Sequence, residues 1–275
     1  MGTGAVFLRS GAWCLGLWLI VGLGTAVKAG TDDLYQAQTV VTGQGNDNRQ
    51  TGFAICLEDV LIKVSGAFQL SGDARLMPLK ARAGAFVTGF DYHDQMSGKP
   101  KHDEQGTRDR PYDLTVSFDR AKTDDLLATL GVKPWLVARP AVAVIVAMTS
   151  GDRTYLVTSD DRRSDLQRDA LRAAAAKRGL EIILPDTSAV ATVDLAELRP
   201  VDGRPVTLAA LVPGAEVKLF GQLAWDDDAL GWVTQWRLDA AGQQQRWQFR
   251  GGTFDDAFRR GLGGVAQILS GNGRP

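Results

Sequence analysis

Cysteine and histidine are scarce in this 275-residue chain, with two of each. Cys14 belongs to an apolar N-terminal run, which leaves Cys56 with no partner in the body and excludes a disulfide framework. Cys56 stands beside Phe53, Leu57 and Val60 and reads as a buried, inert thiol. His93 and His102 sit nine residues apart in a polar loop, whereas a zinc site built on one element wants histidines three or four apart. Asp91, Asp94, Asp103 and Glu104 share that loop and supply ligand types without ligand spacing. We therefore expect no metal site and no cofactor, and read those charges as keeping the loop solvated.

Nucleophile and phosphate motifs are missing as well. No serine stands in a GxSxG setting, and neither histidine has neighbours that suggest a triad. No GxGxxG follows a buried strand. A basic excess is lacking too: without Arg9 and Lys28, which precede residue 30, the chain holds 29 basic against 32 acidic residues, a net charge of −3. Nothing is left over to neutralise a phosphate backbone, so nucleic acid is not an expected partner.

What the chain does have begins with residues 11–26, sixteen apolar or small residues behind the single charge of Arg9. That is short for a membrane span and matches the head and core of a secretory signal. Small residues place cleavage after Ala26 or Ala29, the latter preferred. An uncleaved anchor is the alternative, and membrane contact is expected only through this segment. Gly11, Ala12 and Trp13 do not form a lipobox ahead of Cys14.

The body alternates helices and strands. Residues 34–42 have strand character, and Asn46 or Asp47 can cap a helix that buries Phe53, Leu57, Val60, Leu61 and Val64. The helix ends in EDVLIKVSG, residues 58–66, whose lysine and glycine superficially suggest a phosphate loop. Phosphate loops place their glycines before a helix, so here Lys63 complements the helix dipole and Gly66 closes the helix. A short helix around 73–83 is broken by Pro78, and 85–93 and 111–119 read as strands. In the second of these Tyr112, Leu114, Val116 and Phe118 share one face, the pattern of a half-buried antiparallel strand. Asp119 can cap a helix through Leu126, Leu127 and Leu130, closed by Gly131.

Prolines 134 and 140 bracket an extended junction around Trp135 and Arg139, and 141–148 is a continuous apolar run suited to a strand covered on both faces. Ser164 and Gln167 form a capping-box pattern for a helix with Leu166, Ala170 and Ala174 on one side. A buried strand at 180–184 completes a right-handed βαβ unit. Short helical pieces near 193–198 and 206–211 lead to a strand at 216–224. Trp232, Thr234, Trp236 and Leu238 alternate along the next strand, Trp247 and Phe249 along another, and Phe254, Phe258, Leu262, Val265 and Leu269 mark a closing amphipathic helix. The expected architecture is α/β (α+β) with a signal peptide over 1–29, an N-terminal α/β subdomain over 30–132, a C-terminal one over 133–270 and a tail over 271–275. The C-terminal subdomain carries the βαβ unit, an antiparallel meander and the closing helix.

The order LYQAQTVV, VLIKVSG, YDLTVSFD, LLATLGV and PWLVARPAVAVIVA resembles the exported proteobacterial family known as domain of unknown function 2066, over residues 34 to about 250. The resemblance implies a periplasmic α/β protein and carries no catalytic residues to transfer. Relative to that family the loop 94–110 looks long.

The expected function is that of a periplasmic, non-enzymatic binding or envelope-assembly accessory factor, partnered by envelope proteins, with Trp135 and Arg139 as candidate contact residues. One alternative is a cell-wall or carbohydrate hydrolase drawing on Asp160, Asp161, Asp165 or the turn 226–228. Another is a small-ligand receptor built on Trp225, Trp232, Trp236 and Trp247, although most of these read as core beneath the last helix.

Overall fold

The alternation in residues 111–119 makes that stretch the centre of a sheet. In the computed structural model, which describes residues 1–2, 34–98, 110–191, 193–194 and 210–275, β3 (Pro111–Phe118) lies between β1 (Gln36–Thr42) and β2 (Val87–Asp94), antiparallel to both. The signal segment beyond residue 2, His102, and most of the helical pieces expected near 193–198 and 206–211 lie outside the described residues. Leu114 and Val116 of β3 point at α1 (Asn46–Ser65), while Gln36, Gln38, Thr115 and Ser117 face away from it. Burial of Leu57, Val60, Leu61 and Val64 fixes that helix on the sheet, each fully buried aliphatic contributing about 1.5–3 kcal/mol against exposure. After α2 (Met77–Lys80), which Pro78 opens, and the two strands, α3 (Arg120–Thr129) closes the first lobe. As expected, Asp119 caps α3 by accepting from the Lys122 amide at 3.0 Å.

The second lobe is a larger mixed sheet. β4 (Val142–Ser150) is the continuous apolar strand, antiparallel to β5 (Arg153–Leu156) and parallel both to β6 (Ile182–Ile183) and to β7 (Val217–Asp226). Antiparallel β8 (Gly231–Ala240) and β9 (Gln243–Arg250) extend it as the expected meander. The expected direct βαβ unit is interrupted: the chain first turns back from β4 into β5, and α4 (Asp165–Ala176) then leads to β6, parallel to β4; α5 (Thr187–Val190) follows, and α6 (Phe254–Leu269) ends the chain's regular structure. Helices α4 and α6 pack on the same side of the sheet, over a core that includes Val144, Val146, Leu171, Leu219, Trp236, Phe258 and Leu262. Trp236 needs a slot there, and Gly221 and Gly261 supply it: a Cβ on Gly261 would stand 2.6 Å from the indole.

Four local expectations differ. Helix α1 is capped by Gly45, because Asn46 accepts from Arg49 and Asn48 donates to the Thr42 carbonyl. The Ser164–Gln167 capping box does not form: a 3₁₀ turn over Arg162–Ser164, capped by Asp161, occupies the helix entrance, and the Ser164 hydroxyl bonds to Thr158 N and Asp161 O. That turn rotates the start of α4, so Leu171, Ala174 and Ala175 face the core and Leu166 is exposed. The strand expected over 180–184 shrinks to the two residues of β6, since only the start of β4 is free to pair with it.

Candidate functional site

The last four carbonyls of any helix lack partners within it. Those of α1 point at the second lobe and are taken up mostly by it. Ile62 O accepts from Gly66 N at 2.8 Å and Val64 O from Trp135 N at 2.8 Å. Lys63 O accepts from Arg139 Nη2 at 2.8 Å, and Ser65 O from Asn272 Nδ2 at 2.9 Å. Gly66 adopts the left-handed conformation foreseen for it, φ 72°.

Trp135 and Arg139 are therefore engaged within the chain. The Trp135 ring is 7% exposed, and the Arg139 guanidinium lies 4.2 Å above it. Nη1 of Arg139 donates to Arg178 O at 2.6 Å, beyond the end of α4, so one cation serves the negative ends of two helices. Burial lowers the Arg139 pKa to about 10.

Beside this seam the lobes share charge. Asp59 of α1 receives Lys177 Nζ at 2.9 Å and faces Arg178 at 3.9 Å. The Arg178 side chain is 5% exposed. Its guanidinium sits 5.1 Å from the Phe68 ring. Phe68 reaches this position because residue 263 is glycine; a Cβ there would stand 2.5 Å from the ring. Gln267 ties the same corner together, accepting from Gln69 N at 2.8 Å and donating to Arg274 O at 2.6 Å. Loss of hydration on burial, followed by the approach of Arg259, pushes the Arg178 pKa down, while Asp59 pulls the other way.

Phe68, Gln69, Arg178 and Gln267 help wall a cleft of about 380 Å³ between the lobes. Arg178, Arg259, Arg260 and Arg274 line it, and Asp256 is the one acidic side chain among its walls. Asp256 is shared by Arg259 at 3.5 Å and Arg260 at 3.2 Å, and Arg260 also covers the Phe249 ring at 3.9 Å. The Nε of Arg178 is buried without a hydrogen-bond partner. A fully buried donor in that condition costs about 1–3 kcal/mol. Chemically the cleft is a set of planar donor forks over an aromatic wall, suited to holding an oxyanion.

The other sequence candidates are dispersed. Asp160 accepts from Thr187 N and Oγ1 at 2.9 and 2.7 Å, Asp161 caps the 3₁₀ turn through Arg163 N at 2.9 Å, and Asp165 pairs with Arg168. The bonds from Arg163 hold the Asp161 carboxyl below the usual carboxylate range. In the β7–β8 turn Asp226 accepts from the amides of residues 228 and 229, each at 3.0 Å, and Asp227 from Trp225 Nε1 at 3.0 Å. Of the four tryptophans, Trp236 is buried, Trp232 and Trp247 pack partly buried against the core, and Trp225 is exposed, stacked edge-on to Trp232. His93 lies on β2 opposite Asp113. Among the described residues no group of three or more His, Cys, Asp or Glu is placed to hold a metal ion. Cys56 is a free, buried thiol whose pKa is pushed up to about 12, chiefly by burial.

A family model described as a domain of unknown function (DUF8605) matches residues 29–136, essentially the first lobe. It supports a domain of unknown function, but not the 2066 family that the sequence motifs resemble. No curated protein matches the chain. A solved structure described as "Crystal structure of uncharacterized protein" is similar at a TM-score of 0.24 and 9% identity, covering 49% of this chain and 91% of that one.

Proposed function

We propose that this chain is an exported, non-enzymatic binding protein that serves as an accessory factor at the cell envelope, with its ligand seat in the cleft between the lobes. The N-terminal signal pattern and the motif resemblance to domain of unknown function 2066 support the periplasmic part of this reading. One observation carries the binding part: four guanidinium side chains line a single cleft in which, among the described residues, Asp256 is the one acidic side chain. Natural sites of this kind are concave, of a few hundred Å³, with a few convergent polar groups. The carboxylates that a hydrolase would use are instead spent on caps and turns.

Photo-crosslinking in living cells tests the reading. A photoreactive residue at position 259 is expected to yield a specific adduct in the periplasmic fraction, and the same residue at the exposed position 152 is expected to yield none. Equal labelling from both positions, or recovery of the chain in the cytosol, contradicts it.

A further inference from the structure

The geometry points to a phosphomonoester as the group that the cleft accepts, an inference that rests on the binding reading above and gives its ligand a chemical class. Three observations converge on it. The first is charge. Arg259 and Arg260 divide one carboxylate between them. Arg178 faces Asp59 at 3.9 Å, already engaged by Lys177, and feels Glu58, already paired with Lys80. The Arg274 guanidinium has no ion pair among the described residues. A monocarboxylate brings one negative charge to these walls. A phosphomonoester brings about −1.5 to −2 at neutral pH and three strong acceptor oxygens.

The second observation is the buried Arg178 itself. A guanidinium with a 5% exposed side chain has lost most of its water, and its Nε has gained no protein acceptor in exchange. Arginine cannot discharge by losing its proton at ordinary pH. An oxyanion in the cleft that Arg178 lines offers that Nε the acceptor it lacks.

The third is shape. Phe68 and Pro275 give the cleft two apolar patches beside the arginines. About 380 Å³ accommodates a phosphate with a small organic moiety and is at the lower end for ligand sites. Sugar phosphates, glycerol phosphates and a phosphatidic-acid headgroup share this chemistry.

Isothermal titration of the purified chain at fixed ionic strength tests the inference, with inorganic phosphate, glycerol 3-phosphate and acetate as titrants. Vesicles containing either phosphatidic acid or the diester phosphatidylglycerol form the lipid arm. We expect phosphate or glycerol 3-phosphate to bind at least about tenfold more tightly than acetate. Selective retention on phosphatidic-acid vesicles assigns the same chemistry to a lipid source. Affinity should fall as pH drops through about 6, where the dianion takes up a proton. The variant R259Q/R274Q alters exposed side chains at the cleft mouth, so it keeps the fold and should weaken binding at least about tenfold. R178K is the second variant, expected to weaken binding further. Phosphate binding no tighter than acetate, or unchanged in R259Q/R274Q, overturns the inference. If acetate or a dicarboxylate binds in an arginine-dependent way while phosphate does not, the ligand class fails and the binding cleft stands. Failure of every anion, together with equal labelling from positions 259 and 152, removes both.

Discussion

Arg139 stands over the Trp135 ring at 4.2 Å and donates to Lys63 O at 2.8 Å and Arg178 O at 2.6 Å. Two residues four apart in the junction thereby close the ends of two helices from different lobes. Replacing Arg139 by alanine leaves half-buried carbonyls without donors at about 1–3 kcal/mol each at most, so we expect R139A to destabilise the chain by about 2–4 kcal/mol in urea unfolding. R139K keeps the charge but not the planar fork and should recover less than half of that loss. A value for R139A within about 0.5 kcal/mol of wild type, the range of ordinary surface substitutions, contradicts the role.

The indole of Trp236 rests in the slot left by Gly221 and Gly261. Overpacking a core in this way costs about 1–3 kcal/mol. G261A should lower stability by that amount and shift tryptophan emission to the red as the ring is displaced. An unshifted spectrum with full stability would show that the slot has room to spare.

Cys56 makes the chain sensitive to alkaline pH. Its thiol ordinarily ionises near 9.0 and is pushed up to about 12 by burial. The folded state therefore keeps a proton that the unfolded state releases, and the associated stability is complete below about 9 and is lost as pH rises towards about 12. Unfolding free energy should decline over that window in the wild type and less steeply in C56A. Identical slopes in the two proteins contradict this assignment. The same burial predicts that a thiol reagent labels Cys56 only after denaturation.

How much of this was legible in the sequence varied with distance along the chain. The end of α1 was readable because Lys63 and Gly66 act on their own helix, and β3 because alternation is a local pattern. The entrance of α4 is misleading in the sequence: Ser164 and Gln167 have the right spacing, but Asp161 captures the first turn and changes the phase of the helix that follows. Trp135 and Arg139 stand out in the sequence for their chemistry, and only the fold shows that helix carbonyls consume it. The cleft was illegible, since Phe68, Arg178, Asp256 and Arg274 come from separate elements. Arg178 looks like an ordinary cation at a helix C-terminus. Arg259 and Arg260 stand three and four residues after Asp256 and read as ordinary helix-surface ion pairs.

The lobe seam also predicts coupling between its halves. Asn272 reaches Ser65 O at 2.9 Å and Lys177 reaches Asp59 at 2.9 Å. In a double-mutant cycle, D59N and N272A should show non-additivity of at least about 0.5 kcal/mol, because each removes a bond that ties α1 to the second lobe. Strict additivity would mean that the seam does not act as a unit.

The Arg178 Nε–H resonance in a ¹⁵N spectrum of the purified chain reports most directly on whether the cleft is an anion seat. The account predicts a saturable downfield shift as inorganic phosphate is added, abolished in R259Q/R274Q. A resonance that stays in place throughout the titration would contradict it.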